Sequence, residues 1–179
     1  MMKYVALLRG INVGGKNMVP MAELKQVFAA LNFQNISTYI NSGNVIFDTA
    51  ATDILNLQQQ CQAAILEHFR IEVPVAVISV TDLKAALAHA PAWWGVAPES
   101  KHNAIIVIPP VDPATIIAEV GAAKPEYERV FNYGQVIFWS APLKTFSRTS
   151  WSKITAKTSY GAITIRNANT IKKLIALAE

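Results

Sequence analysis

The order of strand-like and helix-like stretches runs through the chain twice, and this repeat narrows the choice of fold more than any other feature. Residues 3 to 9 carry consecutive apolar side chains, Tyr4-Val5-Ala6-Leu7-Leu8, stopped by a polar loop, which predicts a short strand buried on both faces. A helix is expected from about Pro20, because proline in a first turn removes no useful donor and Leu24, Val27, Phe28 and Leu31 recur on one face. Ile36, Thr38 and Ile40 alternate with Ser37 and Tyr39, Asn41-Ser42-Gly43-Asn44 follow, and Val45-Ile46-Phe47 continue. That is a hairpin, with Asn and Gly supplying the positive φ of a tight turn. Thr52-Asp53 offer an N-cap for a helix that turns Ile54, Leu57, Cys61 and Ile65 inward. Val73 to Ile78 reads as a strand with its proline near the start, and Thr81 or Asp82 caps a helix from Leu83 to Ala88.

Residues 91–102 contain two prolines and a glycine, break both periodicities and read as a linker, with Trp93 and Trp94 expected to wedge at the junction of the two halves rather than to form an exposed stacking surface. The pattern then restarts. Ala104 to Ile108 is strand-like, Asp112-Pro113 is an N-cap followed by a first-turn proline, and Ile116, Ile117 and Val120 share a helical face. Val130-Phe131 and Val136-Ile137-Phe138 flank the turn at Asn132-Tyr133-Gly134-Gln135. A short helix carrying Trp151 and Ile154 is expected over 147–158, then a strand from Ala162 to Ile165 and a closing helix capped by Asn169 or Thr170.

Two internal alignments support duplication: Asn41 to Phe47 on Asn132 to Phe138, and Val77 to Leu87 on Ile165 to Leu174 or Ile175. The expected class is therefore α+β, a tandem pair of ferredoxin-like βαββαβ units with antiparallel sheets, each followed by a helix. The expected division is 1–90, a linker at 91–102, and 103–179.

In such a unit the first and third strands lie side by side and run oppositely. The loop after the first strand should therefore sit beside the first hairpin turn. That neighbourhood would hold Arg9, Gly10, Asn12, Gly14, Gly15, Lys16 and Asn17 from the loop, and Asn41, Ser42, Gly43 and Asn44 from the turn. Its glycines permit backbone angles and close approaches that side chains would block, its amides suit phosphate or carboxylate, and Arg9 and Lys16 add positive charge. The corresponding stretch of the second half, Pro109-Pro110-Val111-Asp112, is short. Neither nucleotide motif is met: Asn17 stands where a Walker loop needs a hydroxyl, and the glycine spacing does not fit Gly-x-Gly-x-x-Gly.

The stretch Tyr4 to Lys16, with Val19 to Leu24 and Tyr39 to Val45, resembles an uncharacterised bacterial family known only as a domain of unknown function. The likeness spans essentially the whole chain. It implies an α+β fold and a soluble protein, and no activity, substrate or cofactor. The family's closing Thr-x-Arg-Asn-Trp-x-Thr segment reads here Thr164-Ile165-Arg166-Asn167-Ala168-Asn169-Thr170, with alanine in place of tryptophan.

Chemistry is sparse. One cysteine excludes an internal disulfide, and Cys61 falls on the apolar stripe Leu57, Cys61, Ala64, Ile65 as a small hydrophobe. Three scattered histidines give no metal spacing, and neither a serine nucleophile elbow nor a His-Glu-x-x-His helix occurs. Glu126 and Glu128 read as alternation on an exposed strand edge, and Ser147 to Ser150 as helix capping. With 52% hydrophobic and 16% charged residues the chain is an ordered globular one, without a membrane-length apolar run or a signal peptide, and a cytoplasmic location is expected. Net charge is +4, but from Arg129 to Lys173 there are eight basic residues and no acidic one. Three functions follow: a small-ligand or anion binder using residues 9–17 and 41–44, an RNA-binding module using the basic second half, or a structural, oligomeric interaction protein. The RNA signature of interleaved aromatics is not met, since Phe138 and Trp139 alternate faces.

Overall fold

The computed structural model describes the backbone of residues 1–179 and the side chains of all but Thr158 and Ser159. The chain forms two compact units, Met1–Leu83 with Leu174–Glu179, and Lys84–Lys173.

The first unit contains β1 (Met2–Leu8), α1 (Met21–Ala29), β2 (Gln34–Tyr39), β3 (Asn44–Thr49), α2 (Ile54–Phe69), β4 (Val75–Ser79) and the start of α3 (Val80–Ala88). Its sheet has the order β2-β3-β1-β4, with every neighbouring pair antiparallel. That is the strand order of a ferredoxin-like unit. Tyr4 through Leu8 are all buried, as the unbroken apolar run requires. Tyr4, Ala6 and Leu8 join Val45, Phe47, Val75 and Val77 in a core closed by Leu24, Val27 and Phe28 of α1 and Leu57, Cys61 and Ile65 of α2. Asp53 caps α2, accepting from the Asn56 N–H at 3.1 Å. Burial pushes the Cys61 thiol up to about 12.

Three local expectations are corrected. Pro20 is the N-cap of α1, with ψ 132°, rather than part of its first turn. The positive φ values of the hairpin fall on Ile40 (51°) and Gly43 (86°), not on Asn41. Helix α3 follows β4 without a break, and Ser79 does the capping: its hydroxyl donates to Asp82 Oδ2 at 2.7 Å and accepts from the Asp82 N–H at 3.0 Å.

The second unit contains β5 (Ser100–Val107), α4 (Pro113–Val120), β6 (Arg129–Tyr133), β7 (Val136–Pro142), β8 (Ile163–Asn167) and the start of α5 (Ala168–Leu177). Its sheet, β6-β7-β5-β8, repeats the first order and is also antiparallel. Strand β5 begins inside the stretch read as a linker. Asp112 caps α4 with Pro113 at its first positions, as the sequence predicts. The strand-to-helix junction repeats too, since Asn167 accepts from the Thr170 N–H at 2.8 Å in the place of Ser79 and Asp82.

Where the first unit has α2, the second has three 3-10 segments, Leu143–Arg148, Trp151–Ala156 and Thr158–Ala162. The helix expected over 147–158 is thus replaced; the side chain of its last residue, Thr158, lies outside the described ones. Glu128 accounts for the difference. It is buried, not on an exposed edge, and its carboxylate accepts from the N–H groups of Lys124 (3.0 Å), Ser150 (2.9 Å) and Trp151 (3.2 Å). Thr149, fully buried, accepts from the Ser152 N–H at 3.1 Å and donates to Phe146 O at 2.7 Å. Side chains that bond the backbone this way compete with a continuous helical ladder. Trp151 and Ile154 still reach the second core, with Ile105, Val107, Ile137 and Trp139.

The two hairpins are not superimposable in the way the Asn-x-Gly match implies. Tyr39 pairs with Asn44 across four turn residues, whereas Tyr133 pairs with Val136 across two. Leu7 opposes Asn44 and Ile106 opposes Val136, so Asn44 corresponds to Val136, one residue off the sequence match. Facing confirms it: Val45 and Phe47 enter the first core, Ile137 and Trp139 the second. A slip of one residue inverts every side chain of a strand. By contrast, Ser79 opposes Tyr4 and Asn167 opposes Asn103, which keeps the second internal alignment in register.

A Cβ on Gly43 would lie 2.7 Å from Ile11 Cδ1 and Leu8 Cβ, while one on Gly134 meets nothing within 4 Å, and both residues have positive φ. Gly43→Ala should therefore cost about 2–4 kcal/mol by denaturant unfolding and Gly134→Ala about 1 kcal/mol. In native protein the Cys61 thiol should resist alkylation at pH 8 and react at the free-thiol rate only after denaturation, as thiol titration with and without urea will report.

Candidate functional site

The loop after β1 is a small hairpin, built because five of its residues take positive φ: Gly10 (71°), Asn12 (54°), Gly14 (58°), Gly15 (73°) and Asn17 (51°). Glycine and asparagine are the residues that adopt these angles at least cost. Val13 and Lys16 pair antiparallel across Gly14-Gly15, and the Lys16 N–H donates to Val13 O at 3.0 Å. Two central residues at positive φ mark a type I′ turn. The first N–H of the ladder below it runs from Asn12 to Asn17 O, at 3.0 Å. Gly10, Gly14 and Gly15 have open space where a Cβ would stand, so backbone angle rather than close approach explains them; the close approach occurs at Gly43.

Loop and turn do meet. The Leu8 N–H donates to Gly43 O at 2.8 Å, extending the β1–β3 ladder to the turn. The Asn12 amide donates to Val19 O (2.9 Å) and Asn41 O (2.8 Å), and its oxygen accepts from the Val19 N–H (2.7 Å). Asn17 donates to Gly10 O at 3.0 Å. Asn44, fully buried, donates to Tyr39 O (2.8 Å) and Ser42 Oγ (3.0 Å). Three of the four predicted site asparagines therefore hold the platform together and do not face outward with free amides. Arg9 is half-buried, with its N–H bonded to Pro74 O at 3.0 Å, and Lys16 stands exposed on the hairpin.

Sequence reasoning missed the apolar part of this rim. Val13, Met18 and Ile40 are 67%, 62% and 48% exposed. Ile40 also holds a left-handed φ of 51°, a costly angle for a β-branched residue. Nothing in the residue types announces it.

In the second unit both aromatics of the Phe138-Trp139 pair are buried. Trp139 lies in the core, and Phe138, on the opposite face, is covered edge-on by Trp94 at 5.0 Å between centroids. Trp94 is itself buried, its indole N–H donating to Asn103 O at 2.8 Å. The basic residues between 129 and 173 do not form one exposed set either: Arg166 is buried, which pushes its guanidinium down to about 10. The pairing of His102 with Ser140 across β5 and β7 also escaped the sequence reading, because 38 residues separate them. Among the described residues no three His, Cys, Asp or Glu side chains could hold a metal, and no helix is long and apolar enough to cross a membrane.

Replacing Asn12 tests the platform. Asn12→Ala should cost about 2–4 kcal/mol in urea unfolding, from lost side-chain bonds and an unfavourable φ. Asn12→Gly relieves only the backbone part and should recover about 1 kcal/mol.

No curated protein matches the chain. Among solved structures it is similar to the conserved bacterial protein SP0830 from Streptococcus pneumoniae, with 31% identity, a TM-score of 0.88 and 99% of each chain covered. The family described as protein of unknown function (DUF1697) matches residues 1–138, and with that share of its length and its N-terminal sheet accounted for, the chain belongs to this family.

Proposed function

We propose that this is a cytoplasmic protein that binds a small anion, phosphate- or carboxylate-bearing, on the platform made by residues 9–17 and 41–44. The observation that carries the reading is the Asn12 bridge to Val19 and Asn41, which joins loop and turn into one surface and leaves Lys16 exposed on it. Among the described residues the N–H groups of Gly14 and Gly15 have no acceptor within the protein, so a ligand oxygen can replace water there without breaking a bond. Arg9 and Lys16 then supply the charge-assisted bonds. The exposed Val13, Met18 and Ile40 favour an anion that also carries an apolar group over a bare inorganic ion.

A thermal-shift series with phosphate, pyrophosphate, nucleotides and aliphatic or aromatic carboxylates tests this. One class should raise the Tm by about 5 °C at a hundredfold excess over its Kd, and the Arg9→Ala, Lys16→Ala variant should lose that shift. No shift with any ligand, or an equal shift in the variant, contradicts the reading. Binding of single-stranded RNA at low salt that is indifferent to both substitutions would support the alternative through the basic second half.

A further inference from the structure

A row of polar side chains lies in the second unit, on the face of its sheet turned away from the core. Ile137, Trp139 and Ala141 of β7 enter the core, so Ser140 points to the other face. In the β5–β7 register His102 stands directly opposite Ser140, and in the β6–β7 register Arg129 does. Paired residues of antiparallel strands share a face, so His102, Ser140 and Arg129 form a row across three adjacent strands. The hydrogen bonding within the row has a direction. His102 Nε2 lies 2.7 Å from Ala97 O, and a carbonyl only accepts, so Nε2 carries the proton. In the neutral ring Nδ1 is then the lone-pair nitrogen, and Ser140 Oγ, 2.5 Å away, donates to it. A hydroxyl held by an imidazole whose far nitrogen is fixed by a third group is the arrangement that activates a serine nucleophile.

The row is also housed. The segment after α3 carries Ala92, Trp93, Val96 and Ala97 alongside it, and with the sheet and residues 125–128, which add the carboxyl groups of Glu126 and Glu128, they line a cleft of about 400 Å³ that reaches His102, Ser140 and Arg129. Trp94 anchors this segment through its bond to Asn103 O. A structural cross-strand bond needs neither a cleft above it nor a cation in line with it.

We propose that Ser140 and His102 form a nucleophilic pair that hydrolyses small carboxylic esters in this cleft. As Ser140 Oγ bonds to the acyl carbon, its proton passes to His102 Nδ1 and the carbonyl electron pair moves onto oxygen. Arg129 faces the resulting oxyanion. Collapse expels the alkoxide, which takes the proton from Nδ1, leaving an acyl-serine. Water then adds to the acyl carbon, giving its proton to Nδ1; cleavage of the Oγ–carbon bond returns that proton to Oγ and releases the acid.

The test uses the whole chain with a fluorophosphonate probe, located by peptide mass mapping, and with p-nitrophenyl acetate. Wild type should be labelled on Ser140 and show a burst of p-nitrophenol. Ser140→Ala should lose both, His102→Gln should be labelled roughly a hundredfold more slowly, and circular dichroism should show both variants folded. Ser140→Cys provides a check that does not depend on the alanine variant: its thiol should be alkylated by iodoacetamide at least about tenfold faster with His102 present than with His102→Gln. Absence of label on wild type, equal labelling of Ser140→Ala, or alkylation of Ser140→Cys indifferent to His102 would overturn the proposal.

Discussion

The antiparallel ladder between β1 and β3 is the constraint on which the first unit depends. It fixes Leu7 opposite Asn44 and, one step further, hands the Leu8 N–H to Gly43 O. Because that last bond brings the turn over Leu8 and Ile11, residue 43 has no room for a Cβ, and the turn must be made with glycine. The chain leaving β1 then has to change direction beside a packed turn. Positive φ at Gly10 and Asn12 turns it, and the Asn12 amide locks the result to Asn41 and Val19. The platform is thus a by-product of sheet register, closed by one side chain.

The second unit solves the same junction from the other side. Its turn has two residues instead of four, and Gln135 of that turn reaches back to Val107 O at 3.0 Å and Val111 O at 3.4 Å. In the first unit the tie comes from the loop; in the second it comes from the turn. A short turn leaves no rim comparable to residues 40–43, and the loop there runs straight into a capped helix. The two copies have diverged most where the first carries its platform and where the second replaces α2 with side-chain-fixed 3-10 segments. The hydroxyl–imidazole pair belongs to the second copy alone: by register Asp48 occupies the place of Ser140, and Lys3, opposite it, the place of His102.

What the residues announced and what they concealed divides on physical lines. Unbroken apolar runs identified β1 and β5, helical spacing identified the inward faces of α1, α2 and α4, and Asp53 and Asp112 marked helix starts, because each of these signals is local. The 3-10 segments were not legible: they depend on Glu128, whose partners Ser150 and Trp151 are more than twenty residues away. The Asn-x-Gly match misled by one residue because composition repeats more readily than register does. At the candidate site the neighbourhood of loop and turn followed from topology. The roles within it did not, since asparagines that look available in a sequence become occupied once the backbone places carbonyls within reach.

Residue-resolved hydrogen exchange of the folded protein puts the platform itself to the test most directly. The N–H groups of Leu8, Asn12, Lys16 and Val19 should be protected while those of Gly14 and Gly15 exchange at open-loop rates, and Asn12→Gly should release Val19. Exchange of Asn12 and Val19 as fast as Gly14 in the unsubstituted protein would contradict the account.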